Sequence, residues 1–211
     1  MFEPPMFREE RVEVMHALMT AHPFATLVSC ASGVLSADHV PLAIHDDAST
    51  HGFLRGHLSA GNPLAHVGEE TIDVLAVFQG PQAYISPSWY PSKQEHGKVV
   101  PTWNYAVVQA HGTLRFMKDR AWLMDHLADL TRRNESHRPA PWATTDAPAT
   151  FMERQLKGLV GIEIEITALS GKWKMSQNKA AADQAGVATG LLSEETEEAA
   201  TVSRLVKDYA K

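Results

Sequence analysis

This 211-residue chain reads as mainly β, an antiparallel barrel with helices at its periphery. Three observations predict that class. Short segments of strand composition follow one another across polar turns, without a helix between each pair, which favours an antiparallel sheet over a βαβ array. "GIEIEIT" from Gly161 alternates strictly and places Ile162, Ile164 and Ile166 on one face. Helical spacing is confined to the start of the chain, its middle and its end. Roughly six or seven such strands make a small barrel, which removes exposed edges by closing on itself. A composition of 44% hydrophobic and 21% charged residues suits one full-sized core. Residues 1–190 are expected to form that domain and 191–211 a helical extension.

In chain order, Val12, Met15, Leu18 and Met19 fall at helical spacing between Arg8 and Ala21, and His22-Pro23 marks a stop. Phe24–Cys30, Val34–Ile44 and Gly52–Leu58 read as a meander separated by "ASG" and "HDDASTHG". Asn62 is a candidate N-cap with Pro63 at the first helical position, so a short helix follows the third strand and exposes unpaired N–H groups. Strand character returns at Ile72–Phe78 and at Val99–Met117, where Gly112 marks a bend or bulge. Asp119 caps a helix that carries Leu123, Leu127 and Leu130 on one face and Arg132 and Arg133 in its last turn. "SHRPAPWATTDAP" is a loop and "ATFMERQLKGL" a short helix. Ser193 is a candidate cap for a final helix with Val202, Leu205, Val206 and Tyr209 on one stripe.

Several classes are disfavoured. No apolar run approaches the roughly 18 residues a membrane span needs, and "MFEPPMFREERVEV" is unlike a signal peptide, so a cytoplasmic, membrane-free protein is expected. A single cysteine, Cys30, reads as a buried thiol. A net charge of −6 argues against broad nucleic-acid affinity. The histidines form no metal-ligand spacing, and neither a nucleophile elbow nor a dinucleotide-binding glycine fingerprint occurs.

Polar and aromatic groups concentrate in four places. In "LRGHLSAGNP", Arg55, His57 and Ser59 lie at period two around Gly56, next to a helix start. Together with backbone N–H groups they are the donors a phosphomonoester needs. The same alternation also describes a solvent-facing strand edge. "YISPSWYPSKQEHGKVVPTWNY", from Tyr84 to Tyr105, holds two of the five Trp and three of the four Tyr. Trp103 and Tyr105 share a strand face opposite Asn104, and Ser86, Ser88, Lys93, His96 and Lys98 precede them. Such rings and donors suit a planar heterocycle, although aromatic clusters more often build cores and interfaces. "GKWKMSQN" places Lys172 and Lys174 around Trp173, followed by Ser176, Gln177 and Asn178; an exposed strand end reads equally well. "SADHVPL" from Ser36 is the fourth.

"VFQGPQAYISPSWYPSKQEHGKVVPTWNYAVVQAHG", "RGHLSAGNPL" and "GKWKMSQNK", with the N-terminal "FEPPMF", resemble in order the PaiB-type FMN-binding negative transcriptional regulators, a family of the FMN-binding split-barrel group related to pyridoxamine 5'-phosphate oxidases and flavin reductases. The resemblance extends to about Gly190 and implies an antiparallel split barrel that works as a homodimer with FMN at the subunit interface. It places Asp38, His39 and Val40, within "DHVPL", along the isoalloxazine and gives the phosphate to Arg55, Gly56, His57 and Ser59. Trp103, Asn104, Tyr105, Lys174, Ser176, Gln177 and Asn178 complete the pocket. "HLSAGNP" departs from the cation-rich phosphate loop of the oxidases, which leaves haem or another heterocycle as a rival ligand.

Three functions follow: a flavin-binding protein, a transcriptional repressor, and a flavin oxidoreductase or haem-handling oxygenase. No residue is compelling as an acid or base among His39, His57 and His96. DNA binding rests on the resemblance alone, since no helix-turn-helix is recognisable and the cations are scattered.

Overall fold

A computed structural model describes residues 1–31, 33–45, 49–68 and 71–210. The turns expected at "ASG" and "HDDASTHG" include positions 32 and 46–48, which lie outside the described residues.

The elements run β1 (Arg8–Glu9), α1 (Val12–Ala21), β2 (Phe24–Ala31), β3 (Val34–Pro41), β4 (Ala43–His45), β5 (Phe53–Ser59), β6 (Thr71–Ile85), α2 (Ser92–His96), β7 (Thr102–Met117), α3 (Arg120–Glu135), α4 (Ala149–Lys157), β8 (Leu159–Lys174), α5 (Ala181–Leu192) and α6 (Glu197–Asp208). One sheet takes the strands in the order β3-β2-β6-β7-β8-β5-β4, with β1 also on β8. The pairs of defined register, β1 with β8, β2 with β3 and β6, and β5 with β4 and β8, are antiparallel.

The expected closure is corrected: among the described residues the hydrogen-bonded ladder is open, with β3 and β4 at its two ends. The single segment read as Val34–Ile44 breaks at Leu42, whose N–H bonds to the Pro23 carbonyl at 2.8 Å, and the chain beyond it pairs with β5. Packing brings this corner together. A Cβ on Gly56 would lie 2.7 Å from Leu42 Cδ2 and 3.0 Å from the Pro41 carbonyl oxygen, so any larger residue would push this corner apart.

The chain divides into two compact units, and β6, β7 and β8 each contribute to both. The unit of residues 23–77 and 110–169 buries Ala25, Leu27, Leu54, Leu58, Val74, Ala76, Leu114, Ile162, Ile164 and Ile166. The isoleucine alternation is therefore real, yet Glu163 between them is also buried. Gly112 continues β7 where a Cβ would meet the Glu165 carbonyl oxygen at 2.4 Å, so the residue serves close strand approach. Asp119 caps α3 through the Trp122 N–H, as expected. Cys30 is exposed, a correction: inward residues of β2 are Ala25, Leu27 and Ser29, and Cys30 falls on the opposite parity.

The unit of residues 1–22, 78–109 and 170–211 is built on Met15, Leu18, Met19, Phe78, Ile85, Tyr90, Val108, Trp173, Met175, Val187 and Val202. The first helix starts later than expected, because Arg8 and Glu9 pair with Lys172 and Gly171. β6 continues through Gly80-Pro81 to Ile85, and Gly80 leaves room for Leu18 of α1, which a Cβ would meet at 2.7 Å. Helix α5 has no sequence counterpart in the expectations. Ser193 closes it, donating to the Gly190 carbonyl at 2.6 Å, and Thr196 is the residue that caps α6 through the Ala199 N–H. Among the described residues no helix is long and apolar enough to cross a membrane.

Candidate functional site

The candidate residues fall into two groups, one in each unit. In the first, β3 and β5 carry Asp38, His39, Val40, Arg55, Gly56, His57 and Ser59. Among the described residues β3 has one neighbour in the sheet, β2, with Val40 opposite Ala25 and Asp38 opposite Leu27. Its outer edge therefore offers backbone donors and acceptors, and it is exposed from Val34 to Ala37 and again at His39. Asp38 accepts from Asn62 Nδ2 at 2.7 Å, which ties this strand to the turn after β5. Val40 is buried, and Gly56 would place a Cβ 3.4 Å from its Cγ1.

Alternation along β5 confirms that Arg55, His57 and Ser59 share a face opposite Leu54, Gly56 and Leu58. Much of that face is engaged within the unit. Arg55 Nε donates to Glu163 Oε2 at 2.7 Å, and Arg115 donates to Glu163 Oε1 through Nε at 3.0 Å and through Nη2. Burial raises the Glu163 pKa, but the hydrogen bonds from Arg115 and Arg55 outweigh it and hold the carboxyl below its ordinary range. His57 Nδ1 lies 3.1 Å from His126 Nε2, and Trp122 stacks on His126 with ring centroids 5.4 Å apart. Burial lowers the His57 pKa. Burial first, then the His57 and His45 charges, push His126 down to about 4. Both shifts favour the neutral rings, and the tautomer decides which nitrogen of the pair donates.

The turn after β5 departs from expectation. Pro63–His66 is a single 3-10 turn capped by Asn62, whose side chain accepts from the Leu64 N–H at 2.8 Å. The N–H groups of Ala60, Gly61 and Asn62 bond to the Gly158 carbonyl, Ser59 Oγ and the Ser59 carbonyl. The unpaired donors expected there are used inside the chain.

The second group lies on β7, the end of β8 and the turn that follows. Trp103 and Tyr84 are both about half exposed, and their rings meet edge to face with centroids 6.2 Å apart. Asn104, on the opposite face, is fully buried; its Nδ2 donates to Ser176 Oγ at 3.0 Å. Tyr105 faces Lys172, whose Nζ sits 5.3 Å from the ring centroid. Lys174 Nζ donates to Thr102 Oγ1 and, at 2.5 Å, to the Trp103 carbonyl. Gln177 is a backbone clamp: it accepts from the Met175 N–H at 2.7 Å and donates to the Trp173 carbonyl at 2.6 Å. Ser176 holds a φ of 65°, unusual for a residue with a side chain. The loop donors hold their own loop: Ser86 Oγ accepts from the Ser88 N–H, Lys93 reaches Ser88, and His96 Nδ1 accepts from the Lys98 N–H.

Sequence reasoning missed Glu163, Arg115, His126, Thr102 and Lys179. Arg55 and Arg115 both lie on strands that flank β8, and that cross-strand pair of cations was the one available signal for a buried carboxylate between them.

The open antiparallel sheet with helices at its periphery fits the split-barrel class. A family-wide sequence profile described as "Putative FMN-binding domain" matches residues 1–168, and the chain belongs to that family. FMN is the cofactor the family carries. The Bacillus subtilis (strain 168) protein "Protease synthase and sporulation protein PAI 2" is 33% identical across 100% of this chain and 99% of its own. An uncharacterized protein of Emericella nidulans is 29% identical over 95% of this chain and 94% of its own. Among solved structures, the FAD and haem binding protein of Mycobacterium smegmatis superposes with a TM-score of 0.61 at 17% identity, covering 84% of this chain and 78% of that one. The Azotobacter vinelandii flavocytochrome Anf3 gives 0.56 at 14% identity, covering 85% and 75%. These likenesses establish the split-barrel fold.

Proposed function

We propose that this chain binds FMN as a homodimer and acts as a flavin-sensing negative regulator of gene expression. The observation that carries the flavin half is the single-neighbour edge of β3 within a chain of the FMN-binding family. A flavin's pyrimidine edge alternates donors and acceptors, and an unpaired strand edge offers the complement. Asp38, His39 and Val40 supply that edge, the buried face of Val40 and Gly56 backs it, and Ser59 is the exposed hydroxyl at the end of β5. Exposed Phe24, Val34 and Leu35 on and beside the same edge give a second copy an apolar surface to cover.

FMN supplies reversible two-electron redox chemistry, and the protein's part is to bind and orient it. The regulatory half follows the family resemblance, and the charge distribution favours an action tuned by ligand state over broad DNA contact. The net charge is −6, and Arg11, Arg120, Arg132, Arg133 and Arg138 are each paired with a carboxylate, as are Arg55 and Arg115.

The test titrates cofactor-free protein into FMN and follows quenching of flavin fluorescence, then repeats a gel shift on DNA upstream of candidate genes with and without bound FMN. Saturable quenching and a shift whose strength depends on flavin are expected. Quenching without any flavin-dependent shift would remove the regulatory half, and no quenching would remove both.

A further inference from the structure

Val100, Pro101, Thr102, Asn104, Lys174, Ser176, Asn178 and Lys179 enclose a cavity of about 180 Å³. Its chemistry is cationic. Lys174 and Lys179 line it, Lys172 lies close enough to act on Lys174, and among the described residues no carboxylate pairs with any of the three. Lys172 instead donates to the Phe2 carbonyl at 3.0 Å and faces the Tyr105 ring, and Lys179 lies 5.0 Å from the centre of the Tyr90 ring. Burial, then the charges of Lys172 and Lys179, lower the Lys174 pKa, so the neighbouring charges that act on it are themselves positive. Clustering cations without a counter-charge costs free energy that a bound anion recovers.

The walls are built rather than incidental. Asn104 is fully buried and bonded to Ser176, Ser176 is held at φ 65°, and the Gln177 clamp together with the Lys179 N–H on the Ser176 carbonyl fixes the turn. A non-glycine residue kept in the left-handed region marks a conformation that the surroundings impose. Lys174 spends two of its three N–H groups on Thr102 and the Trp103 carbonyl, which leaves one for a ligand. The volume lies below the roughly 300 Å³ at which pockets begin to hold drug-sized ligands, so the cavity takes a group, not a whole cofactor. Four of its residues also lie beyond residue 168, where the FMN-binding family match ends.

We propose that this cavity is an oxyanion site that takes a phosphoryl or carboxylate group between Lys174 and Lys179. The group belongs either to a free small anion or to the tail of FMN, and the claim holds without the flavin reading, because inorganic phosphate probes the cavity directly.

Calorimetric titration of cofactor-free protein with inorganic phosphate, in a phosphate-free buffer, is the test. Saturable binding is expected, weakened by about tenfold or more in Lys174→Gln and in Lys179→Gln, as loss of one charge-assisted hydrogen bond implies. Lys207→Gln, on α6, is expected to bind as the native chain does. A second arm compares FMN with riboflavin. If the anion is the flavin tail, phosphate competes with FMN but not with riboflavin, and Lys174→Gln weakens FMN alone. If the anion is free, phosphate and FMN bind together. Absence of phosphate binding in folded native protein, or binding indifferent to both lysine substitutions, would overturn the proposal.

Discussion

Buried charge at single residues sets how this protein responds to acid. Glu163 is nearly inaccessible and holds two guanidinium groups, so Glu163→Gln removes the counter-charge from both. Both guanidinium groups keep contact with solvent, so the loss is that of charge-assisted hydrogen bonds, about 1.5–3 kcal/mol, and a lowered midpoint in urea denaturation is the expected result. His126 works through its proton. Its folded pKa of about 4 lies below the unfolded 6.5, so between those values the unfolded chain binds more protons than the native one. Its contribution is thus present above pH 6.5 and is lost as pH falls toward 4. A loss on the order of 2 kcal/mol is expected across that window. His126→Phe, which keeps a ring against Trp122, is expected to flatten the urea midpoint's pH dependence there. This pair is not legible from periodicity, because His57 and His126 are sixty-nine positions apart and periodicity reports a face, not a partner.

Among the elements, the strands were legible and the irregular joins were not. Alternation found the buried isoleucines of β8 and the polar face of β5, since a period of two is written directly into strand sequence. β6 runs beyond the expected Ile72–Phe78 to Ile85, and Gly80 within it admits Leu18. α5 was invisible. Its sequence "AADQAGVATGLL" has small residues where a stripe of large ones would signal a helix, and Gly186 and Gly190 make way for Trp89. A Cβ at Gly186 would stand 2.0 Å from the Trp89 carbonyl oxygen, and backbone cannot yield as a side chain can. Gly186→Ala is therefore expected to destabilise by about 1–3 kcal/mol, overriding the helix preference of about 1 kcal/mol for alanine over glycine. Thermal unfolding measures it, with Gly61→Ala as the control, where the nearest atom is 3.7 Å away.

At the scale of the molecule, the two ends of the chain meet in the unit of residues 1–22, 78–109 and 170–211. Tyr209 donates to Glu9 at 2.6 Å and accepts from Arg11 at 3.1 Å, while Arg11 grips the same carboxylate. Burial first, and then the bond to Glu9, raise the Tyr209 pKa, and the Arg11 hydrogen bond outweighs burial to hold Glu9 down at about 2. Tyr209→Phe is expected to cost about 1–2 kcal/mol and to increase proteolysis of α6. The family and the split-barrel class were legible because whole blocks of sequence carry them; the division of labour among site residues was not. Arg55 and His57 were read as ligand donors from their spacing, and the structure gives them Glu163 and His126 as partners. Lys179, the last residue of "GKWKMSQNK" but not among the candidate site residues, lines the cationic cavity.

The central claim is that this fold holds a flavin, and the absorption spectrum of the protein as purified from cells, before and after FMN is added and the excess removed, tests it most directly. Flavin bands that stay with the protein through gel filtration are expected. A colourless protein that releases all added FMN would contradict the account.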